Sequence, residues 1–259
     1  MLFRTPSKIN LFLRVTGKLP GGFHSIETLF LPLTQPADEL EVDFIADGKK
    51  NIILESDHPA VPCDERNLCW KASTLVMNAL KITDSLRIRL RKKIPVAGGM
   101  GGGSSDAGAM IRILQERYGN LPDLGAAIAL ECGSDVPFFL NPEPSVGRGR
   151  GEILSPAKGL RLPEIRIIPM DFPISAKWAY QHLSPEINSD SRSLDDMLIA
   201  LQKGDFESVA YLLRNDLAPA VFRKFPVLEW TKRKFEEENP GWKVQLSGSG
   251  ATLFAIRYK

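Results

Sequence analysis

The feature that most constrains this chain is a glycine-rich stretch that runs directly into an amphipathic helix pattern. Five glycines fall among the six residues 98–103, and Ser104, Ser105 and Asp106 follow at once. Apolar residues then recur at helical spacing up to Tyr118. This order predicts a flexible loop before a helix N-terminus, whose unpaired N–H groups and dipole attract anions. Because glycine has no Cβ, an anion can approach such a backbone closely, as in a phosphate site.

The stretch differs from two common phosphate-binding motifs. It contains no G-x-x-x-x-G-K-[ST], and no G-x-G-x-x-G can be placed in it. On the residues alone, a tight turn before a helix explains it as well as a phosphate site does. Under that alternative, Ser104 and Ser105 are suitable helix N-caps.

Polar residues also stand out in the first strand pattern. Alternating apolar residues from Ile9 to Val15 predict a strand over residues 3–16, with Lys8 and Asn10 together on the opposite face. The simplest interpretation is a half-exposed strand whose Lys8 and Asn10 are solvated.

Three further residues have a structural explanation as well as a functional one. His24 suits a surface or satisfied core position, and Asn67 suits the N-cap of a helix over residues 69–80. Asp135 precedes an apolar segment, 136–140, that we expect to be a strand, so it suits a turn.

A row of basic residues lies on another predicted strand. Arg87, Arg89 and Arg91 alternate with apolar residues, and Lys92 and Lys93 follow. A strand with a basic solvent face is the simplest interpretation. The alternatives are an electrostatic approach for polyphosphates and, more weakly, a nucleic-acid site, since no aromatic residues interleave the charges.

The remaining periodic segments predict a mixed α and β chain. Strand patterns also cover residues 23–30, 40–44, 51–54 and 165–168, and helix patterns cover 124–132, 195–201, 206–213 and 227–237. Residues 156–163 read as a linker, so we expect a second domain to begin near residue 155.

Composition limits the class of protein. The chain has 259 residues, 43% of them hydrophobic, and a net charge of +2, which favours neither nucleic acid nor a membrane surface as a partner. Its three cysteines fit no metal spacing and predict reduced thiols. No signal-peptide core or membrane-length apolar run is visible, so we expect a cytoplasmic protein.

Taken together, these motifs resemble the GHMP small-molecule kinases, such as galactokinase, homoserine kinase and mevalonate kinase. Residues 95–109 resemble the family's phosphate-binding motif, and residues 6–11 resemble its first motif, with Ser7 in place of the usual alanine. Residues 133–139 resemble the segment with the catalytic aspartate, and residues 244–254 resemble the third motif. Gly22-Phe23-His24 and the segment around Tyr180 resemble a branch of the family that binds cytidine, where tyrosine usually replaces Phe23.

The resemblance implies roles for particular residues. It implies that Lys8 and Asp135 are catalytic, with Lys8 beside the reacting hydroxyl and the transferring phosphoryl group. It implies that cytosine and the rest of the acceptor alcohol are bound by Asn10, Phe23, His24, Phe30 and Tyr180. It implies that ATP is bound by Pro95, Val96, Ala97, Gly98, Gly99, Met100, Gly101, Gly102, Gly103, Ser104 and Ser105, with Asn67 near the adenine.

The resemblance also implies a fold, a reaction and partners. The expected fold is α+β, with an N-terminal domain over residues 1–154 like ribosomal protein S5 domain 2. A ferredoxin-like C-terminal domain over residues 155–259 is expected to be shortened at its end. The implied reaction transfers the γ-phosphoryl group of ATP, with Mg²⁺, to the 2-hydroxyl of 4-diphosphocytidyl-2-C-methyl-D-erythritol, in non-mevalonate isoprenoid synthesis.

We expect no nucleic-acid or membrane partner, and a monomer or homodimer. The alternatives are a GHMP kinase acting on another small alcohol and a nucleotide sensor without catalysis.

Overall fold

Local sequence signals set the helix ends in the computed structural model, which describes residues 1–119, 122–183 and 191–259. Asn67, Ser193 and Asp205 each cap a helix by accepting a hydrogen bond from a first-turn N–H group. Gly204 ends the helix that Ser193 begins, in the left-handed conformation at φ 72°.

Ten strands and eight α-helices form within these described ranges. The strands are β1 (Leu2–Lys18), β2 (His24–Ile45), β3 (Ile52–Ser56), β4 (Ser85–Arg91), β5 (Ser145–Arg148), β6 (Ile153–Pro156), β7 (Ile165–Ile168), β8 (Arg214–Asn215), β9 (Trp242–Leu246) and β10 (Leu253–Arg257). The helices are α1 (Leu68–Ala79), α2 (Gly102–Tyr118), α3 (Pro122–Cys132), α4 (Ala176–Gln181), α5 (Leu194–Lys203), α6 (Phe206–Leu212), α7 (Ala218–Lys224) and α8 (Pro226–Glu238).

The chain divides into two compact units, and each is built from separate segments. The first unit contains Met1–Ser7, Pro32–Val96 and Gly101–Pro142. The second contains Lys8–Leu31, Ala97–Met100 and Glu143–Lys259. The two-domain division near residue 155 stays a prediction.

In the first unit, helices pack on a three-stranded part of a sheet. β4 lies between β2, to which it is antiparallel, and β3, to which it is parallel. Apolar side chains of these strands and of α1, α2 and α3 form one core, which includes Leu40, Ile88, Met77 and Leu114. The core covers one face of the strands.

In the second unit, β1 lies between β2 and the two-residue strand β8, which runs parallel to it. β5 pairs with β2 and forms a hairpin with β6. A separate antiparallel sheet has the order β7-β10-β9. Its core includes Leu246, Leu253, Val221 and Leu228.

The structure corrects three predictions from local patterns. Residues 137–140 form a short 3₁₀ helix rather than a strand, because Pro137 starts a turn in which Phe139 N donates to Val136 O. Helix α7 was not predicted, because a proline at position 219 suggests a break, whereas Pro219 lies in the first turn of the helix, where proline is tolerated. The two short strand patterns at 23–30 and 40–44 fall, from His24 onward, within the single 22-residue strand β2.

The predicted basic face of β4 is largely neutralised by acidic neighbours. Arg89 forms ion pairs with Glu41, Asp43 and Glu55, which lie on the two flanking strands. Cross-strand pairing of this kind stabilises the sheet. The interpretation of this row as an attractive surface for polyphosphates or nucleic acid therefore loses its basis.

Candidate active site

The glycine-rich stretch turns two consecutive carbonyl groups toward the loop between β9 and β10. Thr252 N donates to Gly98 O at 3.2 Å, and Ser247 Oγ donates to Gly99 O at 3.1 Å. In a trans peptide the N–H points opposite to the C=O. The N–H groups of Gly99 and Met100 therefore both face away from that loop, which is the arrangement an anion needs.

Only glycine fits at position 99. Its φ is +80°, and a Cβ there would lie 2.1 Å from Ser247 O and 2.9 Å from Gly250 N. The sequence predicted glycines for the close approach of a phosphate. The structure adds a second reason at Gly99, which is the close approach of the protein's own backbone.

Helix α2 begins earlier than the sequence suggested. Its N-cap is Gly101, in the left-handed conformation at φ 74°, so the proposed capping by Ser104 or Ser105 is wrong. Both serines lie in the first turn, where Ser105 N donates to Gly101 O at 2.8 Å. The buried hydroxyl of Ser105 has no hydrogen-bond partner in the part of the chain that the structure describes. Pro95 and Val96 lie in the turn that connects β4 to this region.

A buried charged cluster lies at the start of α2, and no sequence pattern indicated it. Lys92 Nζ donates to Asp38 and, at 2.6 Å, to Asp106 Oδ2. Thr5 Oγ1 donates to Asp106 Oδ1 at 2.7 Å. The three charged side chains are 5%, 0% and 2% exposed, so the predicted continuation of a basic surface through Lys92 is wrong.

Burial and the neighbouring charges shift two pKa values in this cluster. Burial raises the pKa of Asp106, and the Asp38 carboxylate adds to that rise, while Lys92 opposes it. Burial alone would lower the pKa of Lys92, but the two carboxylates outweigh it and raise that pKa. Lys92 is therefore protonated, and its ammonium group stabilises both carboxyl groups.

The second unit brings three of the predicted residues together. Lys8 Nζ donates to Asn10 Oδ1 at 2.8 Å and lies 5.3 Å from the centroid of the Phe30 ring. Asn10 Nδ2 in turn donates to Thr28 Oγ1 at 2.8 Å. Lys8 and Asn10 are buried, so the solvated interpretation of that strand face is wrong.

Two of the three predicted cytosine-binding rings stack on each other. The rings of His24 and Tyr180 lie 5.4 Å apart with an angle of 20° between their planes. Burial and the nearby Lys18 lower the pKa of His24, which favours a neutral imidazole. Phe23 is 49% exposed, and the guanidinium of Arg150 lies 4.7 Å above its ring.

The last two predicted site residues, Asn67 and Asp135, lie at the start of a helix and in a turn. Asn67 Oδ1 accepts from Cys69 N at 2.8 Å and its Nδ2 donates to Pro62 O at 2.8 Å, which confirms the N-cap. Its contact with adenine stays a prediction. Asp135 lies in the first unit, one residue before the buried Val136, at the start of the turn that leads into the 3₁₀ helix.

The described residues contain neither a candidate metal cluster nor a candidate membrane-spanning helix. Among residues 1–119, 122–183 and 191–259, no group of three or more histidine, cysteine, aspartate or glutamate side chains could hold a metal ion. None of the helices in the same ranges has the length and apolar character needed to cross a membrane.

Known proteins match both halves of the chain. The family described as GHMP kinases N terminal domain matches residues 67–142, and GHMP kinases C terminal matches residues 197–257. A curated 4-diphosphocytidyl-2-C-methyl-D-erythritol kinase of Clostridium botulinum (strain Hall) is 32% identical, over 99% of this chain and 90% of its own length. The chain belongs to the 4-diphosphocytidyl-2-C-methyl-D-erythritol kinase family, within the GHMP kinases.

Further comparisons agree with this family. The kinase of the same name from Synechococcus sp. (strain JA-3-3Ab) is 32% identical over 96% of this chain and 82% of its own length. A crystal structure of 4-(cytidine 5'-diphospho)-2C-methyl-D-erythritol kinase matches with a TM-score of 0.80 and 30% identity, over 99% of this chain and 90% of the other. The L. major mevalonate kinase, at 18% identity and a TM-score of 0.72, shares the fold. The predicted α+β GHMP kinase fold is confirmed, and the protein is an ATP-using kinase.

Proposed function

We propose that this kinase transfers the γ-phosphoryl group of ATP to the 2-hydroxyl of 4-diphosphocytidyl-2-C-methyl-D-erythritol, a step of non-mevalonate isoprenoid synthesis. The observation that carries the proposal is the match, over 99% of the chain, to kinases of that name. The arrangement of Lys8, Asn10 and Phe30 and the ring pair of His24 and Tyr180 support it.

Phosphoryl transfer needs positioning and charge stabilisation more than covalent chemistry. We assign ATP phosphate binding to the segment from Pro95 to Ser105, where the N–H groups of Gly99 and Met100 face one side and the first turn of α2 follows. Mg²⁺, when bound with ATP, neutralises phosphate charge. Among the described residues nothing pairs with the buried hydroxyl of Ser105, so it is available to ligate that ion or to donate to a phosphate oxygen.

Two residues are proposed to act on the acceptor hydroxyl. Asp135 accepts or orients its proton. Lys8, held by Asn10 over the Phe30 ring, stabilises negative charge on the hydroxyl oxygen and the transferring phosphoryl group. Because the ammonium of Lys8 is held inside the second unit by Asn10, its direction is fixed before substrate binds.

Cytosine recognition is assigned to the ring pair and Phe23. A neutral His24 offers one donor and one acceptor nitrogen to a base edge, and Tyr180 offers a ring face for stacking. Phe23 keeps the ring but not the hydroxyl of the usual tyrosine. We also propose that the two family domains span residues 1–154 and 155–259, in agreement with the matches at 67–142 and 197–257.

The decisive test is a coupled ADP-release assay with three acceptors. We expect turnover with 4-diphosphocytidyl-2-C-methyl-D-erythritol and none with mevalonate or homoserine. Asp135→Asn should reduce turnover by roughly 10²- to 10⁴-fold, the usual contribution of a general base, while ATP still binds. Asp123→Asn, in the exposed first turn of α3, is the matched control and should keep full activity. Turnover with mevalonate or homoserine instead, or a fully active Asp135→Asn variant, would contradict the assignment.

A further inference from the structure

The side chain of Asn215 uses its whole carboxamide to bind the backbone. Nδ2 donates to Leu246 O at 2.9 Å and to Gly248 O at 2.8 Å, and Oδ1 accepts from Leu217 N at 2.9 Å. Two acceptors face the nitrogen and one donor faces the oxygen, so only this orientation of the amide satisfies all three groups. The residue is 5% exposed, which makes each of these bonds costly to lose.

The backbone that Asn215 holds is the loop between β9 and β10, in contact with the glycine-rich stretch. Besides the bonds to Gly98 and Gly99 described above, a Cβ at Gly248 would lie 2.9 Å from Gly99 O. The same Cβ would lie 3.5 Å from Asn10 Oδ1. Gly248 therefore lies close both to Gly99 and to Asn10, the partner of Lys8.

Asn215 is itself fixed firmly to β1. Its neighbour Arg214 donates from Nε to Asp216 Oδ1 at 2.7 Å, and both side chains are buried. Asp216 accepts from Val15 N at 2.7 Å through Oδ2 and donates from its own N to Leu13 O at 3.0 Å. The strand that carries Lys8 and the loop that touches Gly99 thus share one buried anchor.

We infer that Asn215 is a positioning residue for nucleotide phosphates. By fixing Leu246 O and Gly248 O, it holds the β9–β10 loop in place. That loop keeps the carbonyls of Gly98 and Gly99 turned inward, so that the N–H groups of Gly99 and Met100 stay turned outward toward phosphate. The inference rests on the proposed role of this stretch in ATP binding.

The test compares two asparagine variants in the same unit. Asn215→Ala removes the three bonds, whereas Asn239→Ala removes a single bond from Nδ2 to Phe235 O at the end of α8. The measurements are KM for ATP, KM for the alcohol substrate, the dissociation constant of a non-hydrolysable ATP analogue, and the melting temperature. Asn215→Ala should weaken the ATP analogue and raise KM for ATP by about tenfold, with KM for the alcohol nearly unchanged. Asn239→Ala should alter neither KM for ATP nor the dissociation constant of the ATP analogue.

A milder variant covers the case in which Asn215→Ala folds poorly. Ser247→Ala removes only the hydroxyl that donates to Gly99 O, and it should show the same selective effect on ATP at smaller size. The inference would be overturned if KM rose equally for ATP and the alcohol, or if both variants bound the ATP analogue as the wild type does. Turnover by the wild-type protein would in either case leave the proposed function standing. Failure of the wild-type protein to bind the ATP analogue would overturn both.

Discussion

Replacement of Lys92 by methionine should reveal how much the buried cluster under α2 contributes to stability. Methionine has nearly the length of lysine and no charge, so the change removes the ammonium without opening a large cavity. It leaves Asp38 and Asp106, 0% and 2% exposed, without their shared cation. Asp38 keeps its bonds from the Lys93 and Ile94 N–H groups, and Asp106 keeps the one from Thr5.

Two estimates of the cost agree. Removing one partner of a buried ion pair costs about 3–5 kcal/mol. The variant can limit this cost by protonating one carboxyl group. From an ordinary carboxyl pKa of about 3.9, that protonation costs about 4 kcal/mol at pH 7 and about 2 kcal/mol at pH 5.5. We therefore expect a loss of about 3–4 kcal/mol at pH 7 that is about halved at pH 5.5.

Urea unfolding at the two pH values measures this loss. The control is Lys93→Met, because Lys93 pairs with Glu39 at the surface, where solvent screens the attraction, and it should shift the midpoint little. The double variant Lys92→Met/Asp106→Asn should recover part of the stability, since it removes one of the two stranded charges. A loss in Lys92→Met that is no larger than in Lys93→Met, or that is the same at both pH values, would refute the reasoning.

Three further predictions concern the nucleotide loop, the base site and acid stability. Gly103→Ala should weaken ATP binding, measured by calorimetry, without lowering the melting temperature. A Cβ at this position would meet no protein atom closer than 4.0 Å, and alanine favours helix. Unchanged ATP affinity would contradict a close approach of phosphate to this residue. Tyr180→Ala should raise KM for the cytidine substrate roughly 5- to 150-fold and leave KM for ATP unchanged, whereas the 75% exposed Tyr211→Ala should alter neither. Because the folded pKa of Asp106 lies above its unfolded value, the stability from this group is present at low pH and is lost as pH rises through the folded pKa. Unfolding midpoints of Asp106→Asn should therefore fall less than those of the wild type between about pH 4 and pH 7, and parallel curves would argue against this.

Local features of the fold were predictable because their causes lie within a few residues. The helix over α1 and its cap at Asn67 follow from an N-cap residue before a periodic run. The strand–loop–helix order around residues 86–118 follows from alternation, glycine density and helical period. The family was recognisable for the same reason, since its motifs are short and contiguous.

The contacts of individual side chains were not predictable, because they join residues that lie far apart in the sequence. Lys92 looked like the end of a basic strand, and only folding placed Asp38 and Asp106 around its ammonium. Lys8 and Asn10 alternate as a solvated strand face would, yet both are buried. Asn215 belongs to no motif that the pattern made visible, and its importance lies in three backbone groups that only the fold brings to it.

The amino-acid sequence by itself determined most of the helices and strands, the glycine-rich loop and the family, since propensity, capping and periodicity act over one or two turns of chain. Tertiary structure alone decided which charges are buried together, that the carbonyls of Gly98 and Gly99 face the β9–β10 loop, and which rings stack. Desolvation is the physical reason: a carboxylate, an ammonium or an amide has the same local preferences on the surface and in the core. Its partners and pKa are set by the groups that exclude water from it.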